Sequence, residues 1–140
     1  MKTSLRKRAT SVLVTTAVLA GAAVTMGANN ASAAPNVRFM GGGGSTAGIV
    51  IVIDGQAAGV VNWRADGDRL SATDRGIDGY YIDGFVGTSP VRKASTKGHS
   101  APYTDKAGGN LPENKTYTFW ACVGKGTSFY TCSDIYKVKS

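Results

Sequence analysis

The chain has 140 residues, and its 16 Lys and Arg against nine Asp and Glu give a formal net charge of +7. Four of the basic residues lie within the first eight positions, so the chain after residue 33 carries 12 basic and nine acidic residues, a net charge of +3. So small a charge, with acids and bases interleaved and without the aromatic and basic motifs of RNA-binding modules, argues against nucleic acid as a partner.

Residues 1–33 have the layout of a secretory signal peptide. A basic head precedes an apolar run over residues 12–24 and a segment of small residues that ends at Ala33. A signal peptidase accepts only small side chains near the cleaved bond, and the apolar run is shorter than the roughly 20 residues that span a bilayer. The sequence therefore predicts cleavage after Ala33, an extracellular location and no membrane association after cleavage.

Residues 34–48 are predicted to be a flexible Gly-rich lead, because residues 41–44 are all glycine and ordering them costs backbone entropy. Residues 49–140 are long enough for one domain and too short for two. Residues 49–53 form a β-branched run that ends at Asp54-Gly55, and we expect a strand buried on both faces.

A hairpin is predicted around Asp66-Gly67, a pair that tolerates the positive φ angles of a two-residue type I′ turn. Centring the turn there gives one apolar and one polar face, as a half-buried hairpin requires. The predicted cross-strand pairs are Trp63 with Leu70, Val61 with Ala72, Asn62 with Ser71, and Arg64 with Arg69.

The two cysteines, Cys122 and Cys132, are predicted to form a disulfide, since an even count in an exported chain favours one and their spacing is not that of metal ligands. A hairpin that pairs them also places Phe119 opposite Ile135. Closing so short a loop stabilises the fold by a little under about 3 kcal/mol in the chain-entropy model.

Residues 88–114 are rich in Ser, Thr, Lys, Gly and Pro and are predicted to be mostly loop, with one short strand near residues 91–94. The basic stretch 92–97 within it has the composition of a loop that presents Lys or Arg to a trypsin-like protease. Because no helical period follows the signal peptide, the fold class is all-β, with six or seven strands in a small antiparallel β-sandwich or, as the alternative, a small β-barrel.

Aspartates are concentrated between residues 66 and 83, and most are followed by glycine, which is typical of β-turns. Calcium is the functional alternative, because several carboxylates from adjacent loops can surround the ion. The candidate ligands are Asp66, Asp68, Asp74 and Asp78. No spacing of catalytic carboxylates is evident and the one histidine, His99, lies in the polar loop, so we expect no enzymatic activity. We also expect no cofactor, with calcium as the one alternative.

Aromatic residues are frequent, and neighbouring pairs must point to both faces of a strand. Exposed Tyr and Trp rings stack on sugars or act as protein hot spots. The candidate binding residues are Trp63, Tyr80, Tyr81, Asp83, Trp120 and Tyr130. Asp83 shares a strand face with Tyr81 and Phe85, and it is either paired with a base such as Arg75 or free for a ligand.

Short motifs follow one another over residues 63–138: Asp-Gly-Asp-x-Leu at 66–70, Asp74, Asp-Gly-Tyr at 78–80, Phe-Trp-x-Cys-Val at 119–123, and Cys132-Ser133. In this order they resemble small secreted proteins of actinobacteria, a group of unknown function with a predicted β-sandwich and a C-terminal hairpin disulfide. The resemblance implies the fold and the export, and it implies no activity.

The leading functional hypothesis is non-catalytic extracellular binding of a protein or glycan through the aromatic residues and the segment 88–114. An extracellular protease inhibitor is the second hypothesis, since a domain with a disulfide can hold an inhibitory loop in one conformation. A calcium-stabilised structural domain is the third.

Overall fold

A computed structural model describes residues Ala33–Ser140. The predicted signal peptide lies outside this range except for Ala33. Within the range every regular element is a β-strand, and no helix there could cross a membrane. The strands are β1 (Val37–Gly42), β2 (Thr46–Ile53), β3 (Gln56–Arg64), β4 (Arg69–Asp74), β5 (Tyr81–Val86), β6 (Arg92–Ser95), β7 (Tyr103–Ala107), β8 (Thr116–Lys125), β9 (Phe129–Cys132) and β10 (Tyr136–Lys139).

The strands form two antiparallel sheets in a sandwich-like fold, which confirms the predicted class. Sheet A has the order β1-β2-β3-β4-β7. Sheet B has the order β10-β8-β5-β6, and β9 pairs with the half of β8 that β10 leaves free. The inner faces of both sheets supply one core, whose largest fully buried side chains include Trp63, Phe119, Ile49, Ile51, Leu70 and Ile82.

Sheet A is buried on one face only. Along β2 the residues alternate, so that Ile49 and Ile51 are fully buried whereas Val50 is exposed and Val52 is half-buried. The prediction of a strand covered on both faces is therefore wrong for residues 49–53. In a sandwich, an antiparallel sheet covers one face with the core and leaves the other face exposed to solvent.

Gly84 lets the two sheets approach each other at the centre of the core. It lies on β5, and a Cβ at this position would be 2.5 Å from Cγ1 of Val61 and 3.4 Å from Cδ1 of Leu70, both in sheet A. Any larger residue would have to push the sheets apart, at a cost of about 1–3 kcal/mol. The glycine that follows Asp83 is thus a packing residue rather than a turn residue.

The hairpin of β3 and β4 has the predicted register at every pair, including Trp63 with Leu70 and Arg64 with Arg69. The predicted turn type is wrong, since the positive φ angles lie at Gly67 and Asp68 and not at Asp66. Tertiary contacts explain the difference. The Asp68 carboxylate accepts a hydrogen bond of 2.7 Å from the Leu111 backbone N–H, and the Asp68 carbonyl accepts one of 2.6 Å from the Arg92 guanidinium.

The expected flexible lead is instead part of sheet A. β1 pairs with β2 along its whole length, and Gly44 donates a backbone hydrogen bond of 2.9 Å to the carbonyl of Lys137 in sheet B. A Cβ on Gly43 would collide with that same carbonyl. The glycines are therefore ordered, because backbone pairing on both sides offsets their entropy cost.

The predicted long loop over residues 88–114 contains two strands rather than one. β6 confirms the short strand expected near residues 91–94 and buries Ala94, whereas β7 pairs with β4 and has few apolar residues. Thr96, fully buried just after β6, accepts a hydrogen bond of 2.8 Å from the N–H of Ile82. Edge strands of this kind escape prediction because their pairing partners are distant in sequence.

The disulfide Cys122–Cys132 is formed, and these residues face each other across β8 and β9 as predicted. The register then slips by one residue, so that Phe119 lies opposite Tyr136 and not opposite Ile135. A one-residue slip exchanges the two faces of a strand. As a result Val138 is buried in the core, and Ile135 is 66% exposed.

Candidate functional site

The outward face of sheet B carries a cluster of aromatic rings around one carboxylate. Side chains alternate along β5, so that its even-numbered residues face the core and its odd-numbered residues face outward. The registers with β8 and β9 place further rings beside them. We call this surface the ring face and define it by Tyr81, Asp83, Phe85, Trp120 and Tyr130.

One row of the ring face joins two tyrosines. The rings of Tyr81 and Tyr130 lie 6.3 Å apart between centroids, and Lys97 Nζ lies 5.0 Å from the Tyr81 ring centroid on the other side. Gly124 separates the two strands that carry the tyrosines, and a Cβ there would overlap the Tyr81 ring and lie 2.9 Å from the Tyr130 ring. The missing side chain therefore lets the two rings close over the backbone of β8.

A second row, at the other end of the ring face, stacks Phe85 on Trp120. The two rings are nearly parallel, at 10°, with centroids 5.1 Å apart, and Lys93 Nζ lies 5.4 Å from the Phe85 centroid. Stacking of this kind contributes about 0.5–1.5 kcal/mol and a cation over a ring about 0.5–1 kcal/mol at an exposed site. Both contacts hold the rings in one orientation, and the two rings are half-buried.

Asp83 occupies the row between the two ring pairs and is only 2% exposed. Its Oδ2 lies 3.0 Å from the Lys93 ammonium and accepts a hydrogen bond of 3.2 Å from the Tyr130 hydroxyl, while its Oδ1 accepts one from the Ser95 hydroxyl. The expected ion pair is therefore present, but the base is Lys93 from β6 and not Arg75. Each carboxylate oxygen has a partner, as a buried charge requires.

The Tyr130 hydroxyl remains protonated over an unusually wide pH range. Burial raises the pKa of Tyr130 to about 12, and the negative charge of Asp83 and the hydrogen bond to it act in the same direction. The hydroxyl thus stays a donor to the carboxylate, and this bond ties the exposed ring of β9 to the centre of β5.

Two predicted binding residues do not belong to the ring face. Trp63 is fully buried between the sheets, and its Nε1 donates a hydrogen bond of 2.8 Å to the carbonyl of Lys139. Tyr80 points to the inner side, where it meets Phe129 edge-on at 6.1 Å. Trp63 is therefore a core residue, and Tyr80 covers the edge of the core.

The structure does not assemble the four calcium candidates into one site. Asp66 is exposed in its turn, while Asp78 and the buried Asp74 each cap a local turn, accepting backbone hydrogen bonds from Tyr80 and Gly76 respectively. Asp68, also buried, bonds to the backbone of the segment after β7. Across Ala33–Ser140 no group of three or more carboxylate, histidine or cysteine side chains is arranged to hold a metal ion.

The basic stretch 92–97 is not a protruding loop. Arg92 donates hydrogen bonds to the carbonyls of Asp68 and Gly109, and Lys93 is paired with Asp83. His99 stacks on Tyr103, with ring centroids 3.8 Å apart. Two of the basic side chains that were expected to face a protease, Arg92 and Lys93, are therefore engaged within the domain.

Sequence reasoning missed the contribution of β6 to the ring face. Lys93, Ser95 and Lys97 alternate along the chain and border the rings of β5. The alternation was visible, but nothing local indicates which strand lies next to β6.

Neither a protein-family model, nor a curated protein, nor a solved structure matches this chain. The resemblance to small secreted actinobacterial proteins stays a prediction.

Proposed function

We propose that this protein is a secreted, non-catalytic binding domain that holds a glycan chain on the ring face. The observation that carries the proposal is the placement of four aromatic rings on one outward surface: Tyr81, Phe85, Trp120 and Tyr130. None of these four rings belongs to the hydrophobic core or packs against it. Tyr and Trp rings supply a large contact area with little loss of rotamer entropy on binding.

The rings are held in place before any ligand arrives. Each ring is fixed by a cross-strand neighbour, and the two rings of β5 also lie beneath lysine ammonium groups. The disulfide joins β8 to β9 between the two ring pairs. Preorganisation of this kind lowers the entropic cost of association.

The dimensions favour an extended chain of sugars over a protein partner. Tyr81 and Phe85 are four residues apart on one strand, which corresponds to about 13 Å. Partner rings and lysine ammonium groups cover Tyr81 and Phe85, so each pair offers one stacking position, on Tyr130 or on Trp120. Lysines and a serine hydroxyl lie between and beside the two positions. Two ring pairs in a row match the linear shape of a sugar chain, whereas a stable protein interface buries a broad patch of about 800 Å² on each partner.

The carboxylate of the ring face supports binding without hydrolysis. Asp83 is buried beneath the rings and bonded to Lys93, Ser95 and Tyr130, so its oxygens are occupied by the protein. A glycoside hydrolase needs two carboxyl groups facing one sugar bond. The ring face supplies a single one.

The test is retention of the purified protein on insoluble polysaccharides, with chitin, cellulose and peptidoglycan as the probes. Trp120→Ala and Tyr130→Ala should each weaken retention about fivefold or more, since truncating a central aromatic costs over about 1 kcal/mol. Met40→Ala is the matched control, because it removes an exposed apolar side chain from sheet A. Equal retention of all variants would contradict a glycan ligand. So would a wild-type protein that captures secreted proteins and none of the polysaccharides.

A further inference from the structure

The outward face of sheet A carries a groove of about 370 Å³ at one end of its central strands. The groove lies on the opposite surface of the sandwich from the ring face, so its ligand would not compete with a ligand there. Its polar side chains come from β2, β3, β4 and β7: Thr46, Asn62, Arg64, Arg69, Ser71 and Lys106. We call it the basic groove.

All charged side chains of the basic groove are positive. Arg64 and Arg69 lie directly opposite each other on β3 and β4, and Lys106 lies next to Ser71 on β7. None of these cations forms an ion pair with a carboxylate, because the only ion pair within Ala33–Ser140 is that of Lys93 with Asp83. Like charges placed directly opposite across two strands destabilise a sheet, so this arrangement costs free energy in the absence of an anion.

The other polar groups of the groove are hydrogen-bond donors on its floor. Asn62 faces Ser71 across the strands, and Thr46 lies opposite Arg64. Gly48 makes room for the Asn62 amide oxygen, since a Cβ there would lie 3.1 Å from the Asn62 Oδ1. The site therefore combines two planar guanidinium groups, one ammonium group, two hydroxyls and an amide around one open volume.

The backbone beneath these donors is rigid. The residues that alternate with them on β3 and β4, Trp63 and Leu70, are fully buried in the core. Side chains that stand on a packed sheet keep their spacing better than side chains on a loop. The strand positions from which the three cationic side chains extend are thus fixed by the fold.

We propose that the basic groove binds a tetrahedral oxyanion, either a phosphate or a sulfate group. Guanidinium forks match the oxygens of such a group in pairs, and the hydrogen bonds are charge-assisted. The bound anion removes the repulsion between Arg64 and Arg69. The groove is large enough for the anion together with part of the molecule that carries it.

The experiment is an NMR titration of the purified protein with sodium phosphate and, separately, sodium sulfate, each compared with sodium chloride at equal ionic strength. Saturable shifts are expected at the side-chain N–H groups of Arg64, Arg69 and Asn62 with phosphate or sulfate and not with chloride. The double variant Arg64→Gln/Arg69→Gln should weaken binding at least tenfold. Arg38→Gln, on β1 of the same face but outside the groove, should bind as the wild type does.

Thermal unfolding supplies a second readout that does not depend on assigning resonances. In chloride, Arg64→Gln should unfold at a higher temperature than the wild type, because it removes a like-charge pair. Phosphate should raise the Tm of the wild type and not that of the double variant. Linear, unsaturable shifts that are the same in chloride would overturn the proposal, as would an unchanged affinity of the double variant. Trp120→Ala should bind phosphate normally, so failure of the ring face and failure of the basic groove are separable.

Discussion

Asp83 and Lys93 form an ion pair of 3.0 Å in which the carboxylate side chain is 3% exposed and the lysine side chain 44% exposed. Lys93→Met should therefore destabilise the domain by about 1–3 kcal/mol, because it leaves a buried charge short of one partner. Only the hydroxyls of Ser95 and Tyr130 then remain on the carboxylate. Chemical denaturation of the two proteins measures the difference.

A matched control separates the ion pair from the loss of any surface lysine. Lys137→Met removes an exposed lysine from β10 of the same sheet, and its effect should stay within about 0.5 kcal/mol. Asp83→Asn in the Lys93→Met background should restore most of the lost stability. If both lysine variants unfold alike, the pair contributes nothing to the fold.

Gly124 should not tolerate a side chain. Gly124→Ala places a methyl group against the rings of Tyr81 and Tyr130, and the forced displacement should cost about 1–3 kcal/mol. It should also weaken polysaccharide retention, since one of the two ring pairs opens. Gly42→Ala on β1 is the control because a Cβ there meets nothing within 4 Å, and it should leave both stability and retention unchanged.

The stability of the domain should depend on the ionisation of Asp74. Burial raises the pKa of Asp74 above its ordinary value; the Gly76 N–H opposes this shift, and the charge of Asp78 adds to it. Because the pKa of Asp74 is higher in the folded state than in the unfolded state, stability falls as the pH rises from the unfolded-state pKa through the folded-state pKa. Asp74→Asn keeps an acceptor for Gly76 and should have the higher Tm at pH 7.

The difference in Tm between Asp74→Asn and the wild type should disappear below about pH 3, where the carboxyl is protonated in both states. Calorimetry at several pH values tests this course. A constant difference at all pH values would show that ionisation of Asp74 is not its cause.

Reduction of the disulfide should loosen the ring face along with the fold. Cys122→Ala/Cys132→Ala should lower the free energy of unfolding by a little under about 3 kcal/mol, because the bond closes a short loop in the unfolded chain. It should also weaken retention on polysaccharides, since β9 carries Tyr130. Unaltered retention by the folded double variant would show that the bridge has no part in placing the ring.

Tyr130 should ionise near pH 12, against an ordinary value of about 10. NMR of the tyrosine ring carbons follows its titration directly. Asp83→Asn should lower the pKa of Tyr130 partway, because burial remains and the neighbouring charge is gone. An unchanged titration in Asp83→Asn would contradict the hydrogen bond between the two residues.

Local pattern predicted the features that depend on neighbours in sequence. The pairing of Trp63 with Leu70 follows from alternation on either side of a turn, and the pairing of Cys122 with Cys132 follows from a hairpin of the same kind. Alternation along a strand does not encode a change of register between consecutive strands. The one-residue slip before Tyr136 is such a case, and it places Val138 in the core.

By itself the sequence determined an all-β domain with one disulfide and a central strand whose odd residues are aromatic or acidic. These properties come from side-chain periodicity and covalent spacing, which act over a few residues. Only the tertiary structure decided that the glycines at 41–44 are ordered, that Trp63 is buried, and that Lys93 rather than Arg75 pairs with Asp83. Each of these depends on which strand lies beside which, and that choice is made by the free energy of the whole packed sandwich rather than by any one segment.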